Sequence, residues 1–159
     1  MTPRLHIRNL PLVALLVLAA AAPAPADTAI QWLDFDTGLA QAGRQQRKLF
    51  VTFYNARCPS CHKMKRETFA DPEVIAYLNA HFAAVRVDTD RSPRLAARYR
   101  VRGVPSHAFV TPDGKTISQV MGAIPPRRFL HLLRYVGTDS YRRMPFNRFI
   151  ATLQPARTP

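Results

Sequence analysis

Between residues 30 and 137 the apolar positions fall into short runs separated by polar breaks. Leu49-Phe50-Val51-Thr52-Phe53-Tyr54 is β-branched and aromatic almost throughout, which predicts a buried central strand. Ala83 to Val87 predicts a second strand, closed by Asp88. Ser106 to Val110 and Ile117 to Met121 predict a pair joined by Thr111-Pro112-Asp113-Gly114-Lys115, a hairpin-turn composition. Ile30 to Asp34, with Trp32, reads as an edge strand.

Helical spacing fills the gaps. Asp36 or Thr37 is expected to cap a helix that runs through Leu39 and Ala42 to about Arg47. Pro59 suits the first turn of a helix carrying Cys61, Met64 and Phe69, because its missing N–H costs nothing there. Asp71-Pro72-Glu73 opens the next, with Val74, Ile75 and Leu78 on its apolar face. Ser92-Pro93 opens another, with Leu95, Ala96 and Tyr99 inward. Pro125-Pro126 starts the last, with Phe129, Leu132, Leu133 and Val136 on one stripe and Gly137 as its end cap. A parallel start followed by an antiparallel hairpin predicts an α/β fold, a mixed central sheet with helices on both faces.

The two ends differ from this body. Arg4 and Arg8 precede an unbroken apolar stretch, Leu12 to Ala22, too short for the roughly 20 residues of a bilayer span. Ala24 and Ala26 then satisfy the small-residue rule for signal peptidase, so residues 1–26 are expected to be a leader cleaved after Ala26. Export places the remainder in the periplasm, as a soluble chain with no inserted segment. Residues 27–137 form the expected domain. Residues 138–159 are a basic tail with Arg142, Arg143, Arg148 and Arg157, able to dock as a helix around Phe146, Phe149 and Ile150.

The chain has 159 residues, 23 Lys+Arg against 10 Asp+Glu, and a net charge of +13. The length allows one domain with a real core. The arginines are spread along the chain and no nucleic-acid motif accompanies them, so no nucleic-acid partner is expected. The chain reads as a monomer.

Only two cysteines occur, Cys58 and Cys61. A pair that close cannot staple a fold, because it closes almost no loop. Disulfide exchange needs one thiolate to attack and one thiol to resolve the mixed disulfide. A C-x-x-C at a helix N-terminus provides both, since the positive end of the helix stabilises the first thiolate. Cys58 and Cys61 follow a predicted strand and begin a predicted helix, the context the motif requires. Arg57, His62, Lys63, Lys65 and Arg66 surround them, and the nearest acid in sequence is Glu67. These neighbours are expected to bring the Cys58 thiol to about 5 to 7, below the roughly 8.5 of a free cysteine. Lys63 and Arg66 equally suit a solvated helix face.

Gly103-Val104-Pro105 stands just before a strand. Alone, Pro105 would be an ordinary trans proline at a strand edge. Downstream of a cysteine pair it is expected to be cis, with Val104 turned toward a bound partner.

From Leu49 to about Val136 the chain resembles thioredoxin-fold proteins. The nearer likeness is to small exported thioredoxin-like proteins and to the periplasmic C-terminal domain of the thiol:disulfide interchange protein DsbD. The residues that carry it are Phe53 to Cys61, Met64, Glu67 to Val74, Val87-Asp88, Tyr99, Val101, Gly103-Val104-Pro105 and Pro112-Asp113-Gly114. The resemblance implies a thioredoxin fold and a thiol:disulfide oxidoreductase acting on protein thiols and disulfides without a cofactor. It makes Cys58 the attacking cysteine, Cys61 the resolving one, and Val104 and Pro105 the substrate-binding loop. Pro59 and Ser60 then modulate the site from within the motif. Three positions depart from the family pattern. Arg57 stands where Trp is common, Thr52 where a buried Asp is usual, and Lys65 where the DsbD domain has Glu. Losing both acids should favour the thiolate and make the disulfide more oxidising. Reduction of partner disulfides is the expected direction, with oxidation or isomerisation as the alternative.

Two rivals use the same residues. Cys58-Pro59-Ser60-Cys61-His62 also matches the c-type haem attachment motif, with Met121 or Met144 as distal ligand. Cys58, Cys61, His62 and Met64 could form a soft Cu(I) site. His81, His107 and His131 are isolated in sequence and read as packing residues. Ser60 and Ser106 have no nearby base, and no Gly-rich phosphate loop is present.

Overall fold

The computed structural model describes residues 28–153. The expected leader, its cleavage site and Arg157 lie outside them. Five strands form one sheet in the order β1-β3-β2-β4-β5, with β1 Trp32–Leu33, β2 Lys48–Tyr54, β3 Phe82–Asp88, β4 Ser106–Val110 and β5 Thr116–Met121. β3 runs parallel to β1 and β2, and β4 runs antiparallel to β2 and β5. The sheet is therefore mixed, as in the thioredoxin fold.

Six α-helices surround it: α1 Phe35–Gln45, α2 Pro59–Glu67, α3 Pro72–His81, α4 Pro93–Arg98, α5 Pro126–Gly137 and α6 Phe146–Leu153. None of the described helices is long and apolar enough to cross a membrane.

The alternation of β2 explains two cores. Phe50 faces α3 and α5 among Phe82, Phe109 and Phe129, all essentially buried. Leu49, Val51 and Phe53 face the other way, against Ala42 of α1 and Tyr99 beyond α4. Removing one of the buried phenylalanines to Ala would cost about 3–5 kcal/mol. α1 reaches its sheet face because Gly38 has no side chain; a Cβ there would overlap Val85.

Several local expectations are corrected. The first strand is limited to Trp32–Leu33. The cap of α1 is Asp34, not Asp36 or Thr37, because the Asp34 carboxylate reaches forward into the first turn to accept the Thr37 N–H at 2.9 Å. That bond holds the Asp34 carboxyl below its ordinary range. α1 stops at Gln45, and Gln46 closes it in the left-handed region. Gly137 does not cap α5. It is the last helical residue, set beneath the Tyr77 ring, and Thr138 is the cap. Phe69 lies just past α2 and packs on the aromatic core from there.

Beyond Gly137 the chain makes a 3-10 turn at Ser140–Arg142 and then α6. Phe149 of α6 is buried and meets the Tyr135 ring at 5.3 Å, and Lys48 of β2 pairs with Asp139 at 3.0 Å.

Candidate redox site

β2 delivers the chain to the edge of the sheet at Tyr54. Asn55, Ala56 and Arg57 turn it, and α2 begins at Pro59. The turn is tied at three points. The Asn55 carboxamide accepts the Arg57 N–H at 2.8 Å, the Cys58 N–H donates to Asn55 O at 3.2 Å, and His62 Nε2–H donates to Ala56 O at 2.8 Å.

Cys58 is the N-cap of α2, and Cys58 and Cys61 are joined as a disulfide with Cα atoms 5.2 Å apart. Cys58 Sγ accepts the Cys61 N–H at 3.1 Å. The first sulfur therefore sits at the positive end of the helix, where amides and the helix dipole favour negative charge. Cys58 is half-buried and Cys61 is buried.

The loop before β4 forms the opposite wall. The Val104–Pro105 peptide is cis. Cys58 Sγ lies 3.5 Å from Val104 O. In the disulfide this sulfur has no proton to donate, so the approach is a contact; a thiol there could donate to the same carbonyl. Pro105 O accepts the Gly122 N–H at 2.8 Å, which fixes the loop to the end of β5. Gly122 holds φ +99°, a conformation that favours glycine.

Beneath the pair lies a polar couple that sequence alone did not connect. Thr52 and His107 are opposite one another in the β2–β4 register and both are buried. His107 Nε2–H donates to Gly122 O at 3.3 Å, which leaves Nδ1 to accept the Thr52 hydroxyl at 3.0 Å. Burial pushes the imidazole from 6.5 to about 4 and keeps it neutral. His107 stacks on Phe50, 5.9 Å between ring centres. The reading of His107 as a packing residue thus holds only in part. A period-2 register drawn from the hairpin is the signal that would have paired it with Thr52.

The predicted site residues separate by exposure. Arg57, Pro59, Ser60, His62, Lys63 and Arg66 face solvent, and Lys65 is exposed while also lining the cavity beside Cys61. Thr52, Cys61, Met64, Lys65, Arg86 and Pro105 line a cavity of about 10 Å³, room for one water at most. No acid lines it. The sequence-based picture of an acid-free neighbourhood needs one correction on the outer side. Asp90, on the loop after β3, accepts two bonds from Asn55 Nδ2 at 2.8 and 2.9 Å and lies 3.7 Å from Arg57.

Met64 and His62 do not join Cys58 and Cys61 as the copper set read from the sequence. Among the described residues no three His, Cys, Asp or Glu side chains converge as a metal site. Met64 is turned into the aromatic core, only 1% exposed, while His62 is bonded to the turn through Nε2.

Residues 35–137 match the family model of the thioredoxin-like domain. The chain is 32% identical over 91 residues to thiol:disulfide interchange protein DsbD 2 of Pseudomonas aeruginosa, covering 55% of this chain and 16% of that protein. It is 30% identical over 86 residues to Thioredoxin-2 of Pyricularia oryzae, covering 53% of this chain and 46% of that one. The chain thus spans less than half the length of these curated relatives. A thioredoxin from Thermus thermophilus superposes with a TM-score of 0.63 at 32% identity, over 68% of this chain and 87% of that one. Thioredoxin-fold relatives and a joined C-x-x-C pair together support thiol:disulfide oxidoreductase activity. With its mixed five-stranded sheet, and a match that spans most of the described residues, the chain belongs to the thioredoxin-like family.

Proposed function

We propose that this chain is an exported, periplasmic oxidoreductase that reduces disulfides in partner proteins through Cys58 and Cys61. The observation that carries the proposal is the position of Cys58 Sγ, half-buried at the N-terminal end of α2 and bonded to buried Cys61.

In the reducing direction the Cys58 thiolate attacks a partner S–S bond. A mixed disulfide forms and one partner sulfur leaves as a thiolate that takes a proton. Cys61 then loses its proton and attacks Cys58 Sγ. The mixed disulfide breaks and the second partner sulfur leaves and is protonated. The partner gains two electrons and two protons, and Cys58–Cys61 becomes the disulfide. A second protein dithiol must reduce it again. Val104 and Pro105 receive the partner backbone beside Cys58, while Arg57, Pro59 and Ser60 form the exposed rim. Thr52 and Lys65 set the surroundings of Cys61. The apolar stretch at Leu12 to Ala22 and the small residues at Ala24 and Ala26 support export.

One observation favours the opposite direction. The cavity beside Cys61 is lined by Thr52, Lys65 and Arg86 and by no carboxylate, which stabilises thiolates and so the reduced pair. Equilibration with glutathione decides between them. A potential near −270 mV, the order found for thioredoxin, supports reduction, and one near −120 mV makes the chain an oxidant. Fractionation of cells expressing the full chain tests export; retention of uncleaved chain in the cytoplasm would overturn it.

A further inference from the structure

The Gly103–Pro105 loop beside Cys58 touches Met121, which lines a groove that the thioredoxin-like match does not cover in full. Met121 ends β5 opposite Ser106, beside the Gly103–Pro105 loop, and is 66% exposed. A Cβ on Gly103 would meet Met121 Sδ at 3.2 Å. From Met121 the surface passes over Ile124 and Pro125 into a groove of about 610 Å³ floored by Val120, Leu132, Tyr135 and Phe146. Thr68 Oγ1 donates to Ile124 O at 2.6 Å and so ties the lip of the groove to the end of α2. Phe146 belongs to α6, outside residues 35–137, so part of the floor lies beyond the family match.

The groove and the hollow beside α6 carry positive charge, while the hollow toward α2, which shares Ala123, Ile124 and Pro125, holds Lys63 and Glu67. Arg128 lines the groove, and Arg127, Arg128 and His131 line the adjoining hollow that shares Pro125 and Phe146. No acid lines either one. Among the described residues Asp90, Asp113, Asp139 and Glu73 pair with Arg57, Lys115, Lys48 with Arg142, and Arg134 respectively, and none pairs with Arg127 or Arg128. Both arginines stand in the first turn of α5, which has no side-chain cap and no acid. That arrangement opposes the helix dipole and is relieved by negative charge from outside.

We propose that this groove docks an acidic, apolar segment of the partner protein next to the partner's reacting cysteine. The inference rests on the redox reading above and names the class of partner. Apolar side chains fill the floor formed by Leu132, Tyr135 and Phe146, and carboxylates face Arg127 and Arg128. Other occupants fit the charge poorly. A second copy would set arginine against arginine across a two-fold axis. The chain outside the described residues brings Arg4, Arg8 and Arg157 against a single acid, Asp27. The concave shape beside a thiol pair suits a polypeptide better than the plane of a membrane.

The test uses the reduced protein and two matched peptide disulfides, each with leucines beside the cysteine. One carries Asp and Glu at its flanking positions and the other carries Lys and Arg. Stopped-flow exchange is expected to favour the acidic peptide by about tenfold or more at low salt, with the ratio falling severalfold at about 0.5 M salt. In the Arg127→Glu, Arg128→Glu double variant the ratio of acidic to basic rates should fall about tenfold or invert. Equal rates for the two peptides with the unaltered protein would overturn the proposal, as would a ratio untouched by the double variant. Concentration-dependent dimerisation abolished by the double variant would assign the groove to a second copy and overturn it. Binding to anionic phosphatidylglycerol vesicles, with no preference between the peptides, would do the same. Failure of both peptides and of a small aromatic disulfide to react would instead defeat the redox reading itself.

Discussion

Helix α3 begins at Pro72 with Asp71 as its cap, and helix α2 begins at Pro59 with Cys58 in the same place. The Asp71 carboxylate accepts the Glu73 and Val74 N–H groups, both at 3.0 Å. Glu73 adds a second acid to that first turn. In α2 the acceptor is a sulfur, it takes one N–H at 3.1 Å, and the first turn holds no acid. The α3 start is thus saturated with charge and hydrogen bonds and contributes stability. The α2 start leaves its amides and its dipole underused until a thiolate forms. The difference shows how the same local plan, proline preceded by a capping side chain, serves folding in one helix and chemistry in the next.

The comparison can be broken or sharpened by exchange. Cys58→Asp turns the α2 cap into one of the α3 kind. Disulfide exchange should vanish entirely, while thermal stability measured on the reduced protein holds or rises; residual exchange through Cys61 alone would break the comparison.

A smaller effect is expected under the pair. The unfolded chain takes up a proton on His107 near 6.5, and burial holds the folded imidazole at about 4. The His107 contribution to stability should be complete above pH 6.5, fall by about 3 kcal/mol between pH 6.5 and about 4, and change no further below. His107→Gln should flatten that window in denaturant titrations, and an unchanged slope would remove the buried neutral histidine from the account.

Asp71→Ala should cost about 1 kcal/mol in the same titrations and leave exchange rates as they were. Loss of exchange in that variant would mean the two helix starts are not independent. The least effect belongs to the outer ion pair. Arg57 is 86% exposed at 3.7 Å from Asp90, so Arg57→Ala should change stability by less than about 0.5 kcal/mol.

The body of the fold was legible because its strands are dense apolar runs. Leu49 to Tyr54 and Ser106 to Val110 could be read directly, and the Asp113-Gly114 turn fixed the hairpin between β4 and β5. The docked tail helix was legible from the spacing of Phe146, Phe149 and Ile150. The α1 cap was not, since Asp34, Asp36 and Thr37 all suit the role and only the turn geometry selects Asp34. Cys58 and Cys61 announced themselves by spacing. The Thr52–His107 couple did not, because it exists only once β4 is laid against β2 in register. Asp90 likewise reaches Asn55 and Arg57 only through the fold, 35 residues on from Asn55.

The account's central claim is the division of labour between the two sulfurs. It is tested most directly by mixing Cys61→Ser and Cys58→Ser, separately, with a disulfide-containing protein substrate and locating the trapped bond by mass spectrometry. Cys61→Ser should accumulate a mixed disulfide on Cys58, and Cys58→Ser should accumulate almost none. Trapping on Cys61 in preference to Cys58 would contradict the claim.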